Sequence, residues 1–164
     1  MNFYIIIRGP LGSGKSTVSE QLAQKFDAEL IPIDRVLDEH KLTKDKEDGY
    51  ISQSSFKQAN KIIAPEAQKL LNSGKIVIFD GNFYWKSQLD DLIQRLDFPH
   101  YVFTLKVELE LCLERDCNRE KMHGKDAAEA VYRKSTEFEY GIPIDASGSV
   151  NETIKNILFY IQSN

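Results

Sequence analysis

Two periods of apolar residues alternate along the whole chain. Apolar-rich runs at residues 3–7, 30–33, 76–79, 100–105 and 142–145 have the form of short strands buried on both faces. Between them, apolar residues recur three and four apart, as on one face of a helix. Val18, Leu22, Ala23 and Phe26 mark the first such face. Phe56, Ala59, Ile63, Ala67, Leu70 and Leu71 mark a second, which Pro65 should kink or restart and Asn72-Ser73-Gly74 should end. Leu89, Leu92, Ile93 and Leu96 mark a third, and Ile154, Ile157, Leu158 and Ile161 a C-terminal one. A charged helix is expected over about 108–119, followed by a polar, flexible stretch to Lys125. Asp126 with Glu129, and Ser149 with Glu152, have the spacing of capping boxes. Residues 35–50 are polar and broken by Gly49, which predicts a short helix and a mobile loop.

Strands alternating with helices predict an α/β fold, a parallel sheet covered on both faces. There is no repeat, low-complexity tract or linker, and 164 residues suit one domain spanning 1–164. The 41% hydrophobic and 28% charged content is that of an ordinary globular protein. A net charge of −4 argues against a broad basic surface for duplex nucleic acid. No apolar stretch reaches membrane-spanning length, and the first apolar run is too short for a secretory signal. Cys112 and Cys117 lie five apart with no partner pair, too few ligands for zinc, so reduced thiols and a cytoplasmic location are expected.

The chemistry concentrates after the first strand. Gly9, Pro10, Leu11, Gly12, Ser13, Gly14, Lys15, Ser16 and Thr17 fit the phosphate-binding pattern G-x-x-x-x-G-K-[ST] without a mismatch. Triphosphate binding needs converging backbone N–H groups, and residues without side chains let the backbone approach. Lys15 supplies a cation for the β- and γ-phosphates, the Ser16 hydroxyl is a Mg²⁺ ligand, and the next helix aims its positive end at the anion. The strand before and the helix after are the context that this motif requires.

Ligands of open parallel sheets bind beyond the carboxyl ends of the strands, so the residues there matter most. The second strand ends at Asp34 and the third at Asp80. Asp80, after four apolar residues, has the Walker B form and is a candidate Mg²⁺ ligand beside Ser16; a turn aspartate in Asp-Gly-Asn is the plainer alternative. Asp34 is a candidate to position an acceptor hydroxyl and take its proton, or else a cap for a helix beginning at Arg35. Arg115 and Arg119 share a helix face leading into a lid-like segment, about 116–126, and could neutralise a transferring phosphoryl group; surface pairing with Glu114 and Glu120 is the alternative. His123 reads as a surface residue. Phe83, Tyr84 and Trp85 either stack on substrate or pack the start of a helix.

On these residues the chain resembles the small P-loop kinases, the superfamily of adenylate, shikimate and gluconate kinases. It is most similar to the branch with the 5′-hydroxyl polynucleotide kinase domain, chloramphenicol phosphotransferase and the zeta toxins. The resemblance implies a P-loop NTPase fold: a three-layer α/β/α sandwich with a five-stranded parallel sheet and a small helical lid. It implies ATP and Mg²⁺ as cofactors, an acceptor region at about 34–60, and transfer to a hydroxyl of a small molecule, nucleoside or nucleic-acid end; monomer and homodimer both stay open. In that branch an aspartate past the second strand contacts the acceptor hydroxyl, where Asp34 stands. The polynucleotide kinases carry R-x-x-x-R in the lid, which Arg115 to Arg119 resembles. Such kinases hold adenine at the loop before the last helix, here Ala146-Ser147-Gly148-Ser149, mainly through backbone. Adenylate kinases instead follow the third strand with D-G-F-P-R. This chain has Asp80-Gly81-Asn82-Phe83-Tyr84, with no arginine, which weakens a nucleoside-monophosphate acceptor. A nucleotide-operated switch is the reading from another class, but the guanine-reading motif N-K-x-D does not occur: Asn60-Lys61-Ile62-Ile63 lacks the aspartate.

Overall fold

The computed structural model describes residues 2–118 and 123–163. In chain order its elements are β1 (Tyr4–Arg8), α1 (Lys15–Phe26), β2 (Glu29–Pro32), α2 (Ile33–Glu39), β3 (Lys46–Glu47), β4 (Tyr50–Ile51) and α3 (Gln53–Asn72). They continue with β5 (Val77–Gly81), α4 (Lys86–Arg95), β6 (His100–Lys106), α5 (Leu109–Cys117), α6 (Lys125–Ser135), β7 (Ile142–Asp145) and α7 (Val150–Gln162). Five strands form one parallel sheet in the order β2-β5-β1-β6-β7, as the alternating pattern predicts. β1 lies at its centre, pairing Ile5 with Ile78 on one side and with Tyr101 on the other.

Period two sorts the side chains of β1 between two cores. Tyr4 and Ile6 join the cluster built with α3 and α4, which holds Phe56, Ala67, Leu71, Leu89 and Leu92. Phe3, Ile5 and Ile7 join the cluster on the opposite face, with Val18, Leu22 and Ile157 from α1 and α7. With helices on both faces the fold is the three-layer sandwich. No helix among the described residues is long and apolar enough to cross a membrane.

Several local expectations change. The second strand stops at Pro32 and α2 begins at Ile33, so Asp34 lies inside the first turn of a helix instead of capping one. Pro65 does not interrupt α3, which runs unbroken for 20 residues. Both Pro65 and Lys61, whose carbonyl loses its helical partner, are exposed, so water can satisfy that carbonyl. Residues 46–51 form an antiparallel hairpin where a mobile loop is expected. Its tip, Asp48-Gly49, takes φ of 53° and 83°, the left-handed pair that a two-residue hairpin turn demands. The Ser149–Glu152 capping box forms. The Asp126–Glu129 one does not, because α6 starts two residues early, at Lys125, behind Gly124. Glu129 instead pairs on the surface with Lys125 and Arg133.

Candidate active site

The phosphate loop sits at the carboxyl end of β1, where strand order reverses between β5 on one side and β6 on the other. Gly12 and Gly14 have φ of 76° and 88°. A Cβ on Gly12 would also collide with the Cys112 carbonyl, so the loop lies directly against α5. The Ser13 N–H donates to the Pro10 carbonyl at 3.2 Å, folding the loop back on itself. Helix α1 then begins at Lys15 with no side-chain cap and no acidic residue in its first turn, leaving its positive end to an anion. Lys15 is buried, and its Nζ donates to the Pro10 carbonyl at 3.4 Å.

Ser16 and Asp80 are brought together: the Ser16 hydroxyl donates to Asp80 Oδ2 at 3.1 Å. Asp80 is the penultimate residue of the fully buried strand β5. Burial pushes its carboxyl above the usual range, against the opposing pull of Lys15 and the Ser16 hydrogen bond. Its other oxygen, Oδ1, is buried without a hydrogen-bond partner. A buried carboxylate oxygen left unpaired beside a hydroxyl and a lysine fits a divalent cation. Among the described residues no cluster of three or more His, Cys, Asp or Glu could hold a metal alone, so phosphate and water oxygens would complete the shell.

Asp34 is exposed, and its charge reaches both Asp80 and the Tyr84 hydroxyl, raising the pKa of each. From the first turn of α2 it thus lies within electrostatic reach of the phosphate site. On the opposite side, a cavity of about 380 Å³ runs from Gly12 and Thr17 to Gly148 and Thr153, with Arg115 in its wall.

Arg115 bonds to backbone carbonyls on both sides of this cavity. Its Nη1 donates to the Ala146 carbonyl at 2.9 Å and the Ser13 carbonyl at 3.4 Å; its Nη2 donates to those of Ser147 and Gly148 at 3.3 and 3.2 Å. It ties the phosphate loop to the loop before α7. Ser147 turns its backbone N–H and hydroxyl back onto Asp145, so Gly148, not Ser147, faces the cavity. Arg119, expected as the second lid arginine, lies outside the described residues, as do residues 120–122 of the 116–126 segment. His123 is not a bare surface group: its ring and its N–H both bond to the buried Asp116, Nδ1 at 2.8 Å from Oδ1.

Phe83, Tyr84 and Trp85 pack inward, which decides their role for the core. Trp85 Nε1–H donates to the Ile51 carbonyl, and the Ile51 N–H donates to the Tyr84 hydroxyl, fixing the hairpin. Cys112 is buried, its thiol pushed up to about 11 by desolvation, while Cys117 is exposed; both are free thiols. Neither Arg8 nor Lys134 has a role assigned by the sequence alone. Arg8 did carry a signal: a charge that ends an apolar strand directly before Gly9.

A family model described as "AAA domain" matches residues 5–138. No curated protein matches the sequence significantly. Solved structures do resemble it in shape. A gluconokinase from Sinorhizobium meliloti aligns at a TM-score of 0.74 and 16% identity, over 99% of this chain and 98% of that one. A shikimate kinase from Aquifex aeolicus aligns at 0.68 and 18%, over 98% and 97%. An APS kinase from Mycobacterium tuberculosis, solved with AMPPNP and APS, aligns at 0.78 and 14%, over 98% of each. The chain therefore belongs to the AAA domain family and has the fold of the small P-loop kinases.

Proposed function

We propose that this chain is an ATP-dependent phosphotransferase that moves the γ-phosphate of ATP onto a hydroxyl of a small molecule, a nucleoside or a nucleic-acid end. The observation that carries the reading is the Ser16–Asp80 pair beside the phosphate loop, within electrostatic reach of Asp34. Lys15 and the N-terminus of α1 would hold the β- and γ-phosphates, and the cavity between Gly12 and Gly148 the nucleoside. Ser16 and Asp80 would hold Mg²⁺, which when bound supplies neutralising charge to the phosphates. Asp34 would orient the acceptor hydroxyl and accept its proton, within an acceptor region over about 34–60. A lid over about 116–126 would bring Arg119 to the developing charge. The structural neighbours named gluconokinase, shikimate kinase and APS kinase support this class of reaction.

A nucleoside-monophosphate acceptor is less well served. Between Asp34 and Asp80 the sole arginine is Arg35, whose side chain is 61% exposed and paired with Glu39. Asn82 stands in the segment where a phosphate-gripping arginine would be needed.

The test is transfer of radiolabelled γ-phosphate to a panel of sugars, nucleosides, nucleoside monophosphates and 5′-hydroxyl oligonucleotides. Slow ADP release indifferent to every acceptor would replace the kinase with a nucleotide-operated switch. With the best acceptor, Asp34→Asn should leave ATP affinity unchanged and lower transfer by about 10²-fold or more. Normal transfer by that variant would leave Asp34 with a helix-terminal role alone.

A further inference from the structure

Arg8 is fully buried at the end of β1, one residue before the phosphate loop. No carboxylate among the described residues bonds to it. Its Nη1 donates to Thr104 Oγ1 at 3.1 Å, and its Nη2 to the Phe83 carbonyl at 3.2 Å and the Ser135 carbonyl at 2.9 Å. The Phe138 ring lies 4.6 Å from its Cζ, while its Nε is buried without a partner. Burial lowers its pKa only to about 10, so it stays cationic at neutral pH. The Glu139 carboxylate offsets part of that lowering through space without bonding to Arg8. A buried charge with no bonded counter-ion is costly, so that an apolar side chain would fill the space at less cost.

What an apolar residue cannot do is join three segments. Thr104 belongs to β6, Phe83 to the turn after β5, and Ser135 is the last residue of α6, whose carbonyl lies at the negative end of that helix. Helix α6 also docks on the hairpin side. The Tyr50 hydroxyl donates to the Ala130 carbonyl at 3.0 Å. Lys134 Nζ sits 3.9 Å from the Trp85 ring centroid and 5.6 Å from that of Tyr50. Trp85 and Tyr84 in turn hold Ile51 of the hairpin. The hairpin, residues 83–85 and α6 thus form one connected wall, and Arg8 ties that wall to the root of the phosphate loop.

We propose that Arg8 is a positioning residue: it latches the C-terminal end of α6 to the base of the phosphate loop, keeping the acceptor-side wall in register with the phosphoryl donor. The acceptor part of this statement rests on the kinase reading above; the latch itself does not. Its test uses Arg8→Met, which keeps the length but loses every bond, and Arg8→Lys, which keeps the charge but not the fork. Trp85 is the only tryptophan, so its emission reports whether Lys134 remains seated on it. Arg8→Met should shift that emission and raise amide exchange over 125–135 by about 10-fold or more, with Arg8→Lys intermediate. Affinity for a non-hydrolysable ATP analogue with Mg²⁺ should stay within about 3-fold, while kcat/KM for the best acceptor falls by about 10-fold or more. A folded Arg8→Met protein with wild-type emission and exchange would overturn the latch. If that variant does not fold, Arg8→Lys with wild-type emission and exchange overturns it equally. Equal losses of nucleotide affinity and transfer would overturn the acceptor-side role, reducing Arg8 to a support of the phosphate loop. If the wild-type chain phosphorylates nothing in the panel, the kinase reading fails, and fluorescence and exchange still decide the latch.

Discussion

Replacing Arg115 by alanine separates two readings of the same residue. As a lid arginine it would act on the transferring phosphoryl group; in the structure its guanidinium is spent on four backbone carbonyls. One of these bonds, to Ala146, is short at 2.9 Å, and the other three run from 3.2 to 3.4 Å with two of them solvent-exposed. A hydrogen bond from a charged donor contributes about 1.5 kcal/mol at the low end, and the longer, wetter ones a few tenths each, for about 2.5 kcal/mol together. If all of it serves to hold the 146–148 loop against the phosphate loop, nucleotide Kd rises by about 70-fold at most. With the guanidinium held on these carbonyls, its expected contribution is to nucleotide affinity, and kcat at saturating ATP should change by less than about 3-fold. Calorimetric titration with an ATP analogue gives the affinity, and steady-state ADP release over a wide ATP range gives kcat. A kcat loss of about 10³-fold with unchanged Kd, the pattern of a transition-state arginine, would refute this placement of Arg115.

Lys15→Ala should abolish nucleotide binding or turnover while far-UV circular dichroism stays native; a folded variant with wild-type ATP affinity would remove the phosphate site from the argument. Gly12→Ala should destabilise the fold by about 1–3 kcal/mol, because φ is positive and the Cys112 carbonyl occupies the space of the new methyl group; denaturant melts that superimpose on wild type would contradict this. The raised carboxyl of Asp80 makes a linked prediction for nucleotide-free protein. A folded pKa above the unfolded one means that the native state binds the extra proton, so this group's stabilisation is present below the unfolded value of about 4 and is lost as pH rises through the folded value. The Tm of Asp80→Asn relative to wild type should therefore rise with pH across that window, and parallel Tm profiles for the two proteins would show that burial does not act on Asp80 as described.

The sequence by itself determined the sheet, the helices that cover it and the phosphate loop. Those features rest on local periodicity and on backbone constraints: the apolar run of β1, the spacing of Val18 and Leu22, and the glycines that allow φ of 76° and 88°. The hairpin was legible too, in Asp48-Gly49, had that dipeptide been given its turn chemistry. The meeting of Ser16 with Asp80 followed from the rule that ligands gather at strand ends, although the two are 64 residues apart. Tertiary structure alone decided the rest. Whether an arginine points to a phosphate or to a carbonyl depends on which backbone groups the fold leaves unpaired nearby, and Arg115 found those of residues 146–148 across 31 to 33 positions of chain. Arg8 bonds over 75, 96 and 127 positions, contacts that no local pattern encodes. A charged residue reads as exposed from sequence because water is its cheapest partner; only the folded chain can gather three oxygens and a ring around it and make the interior tolerable.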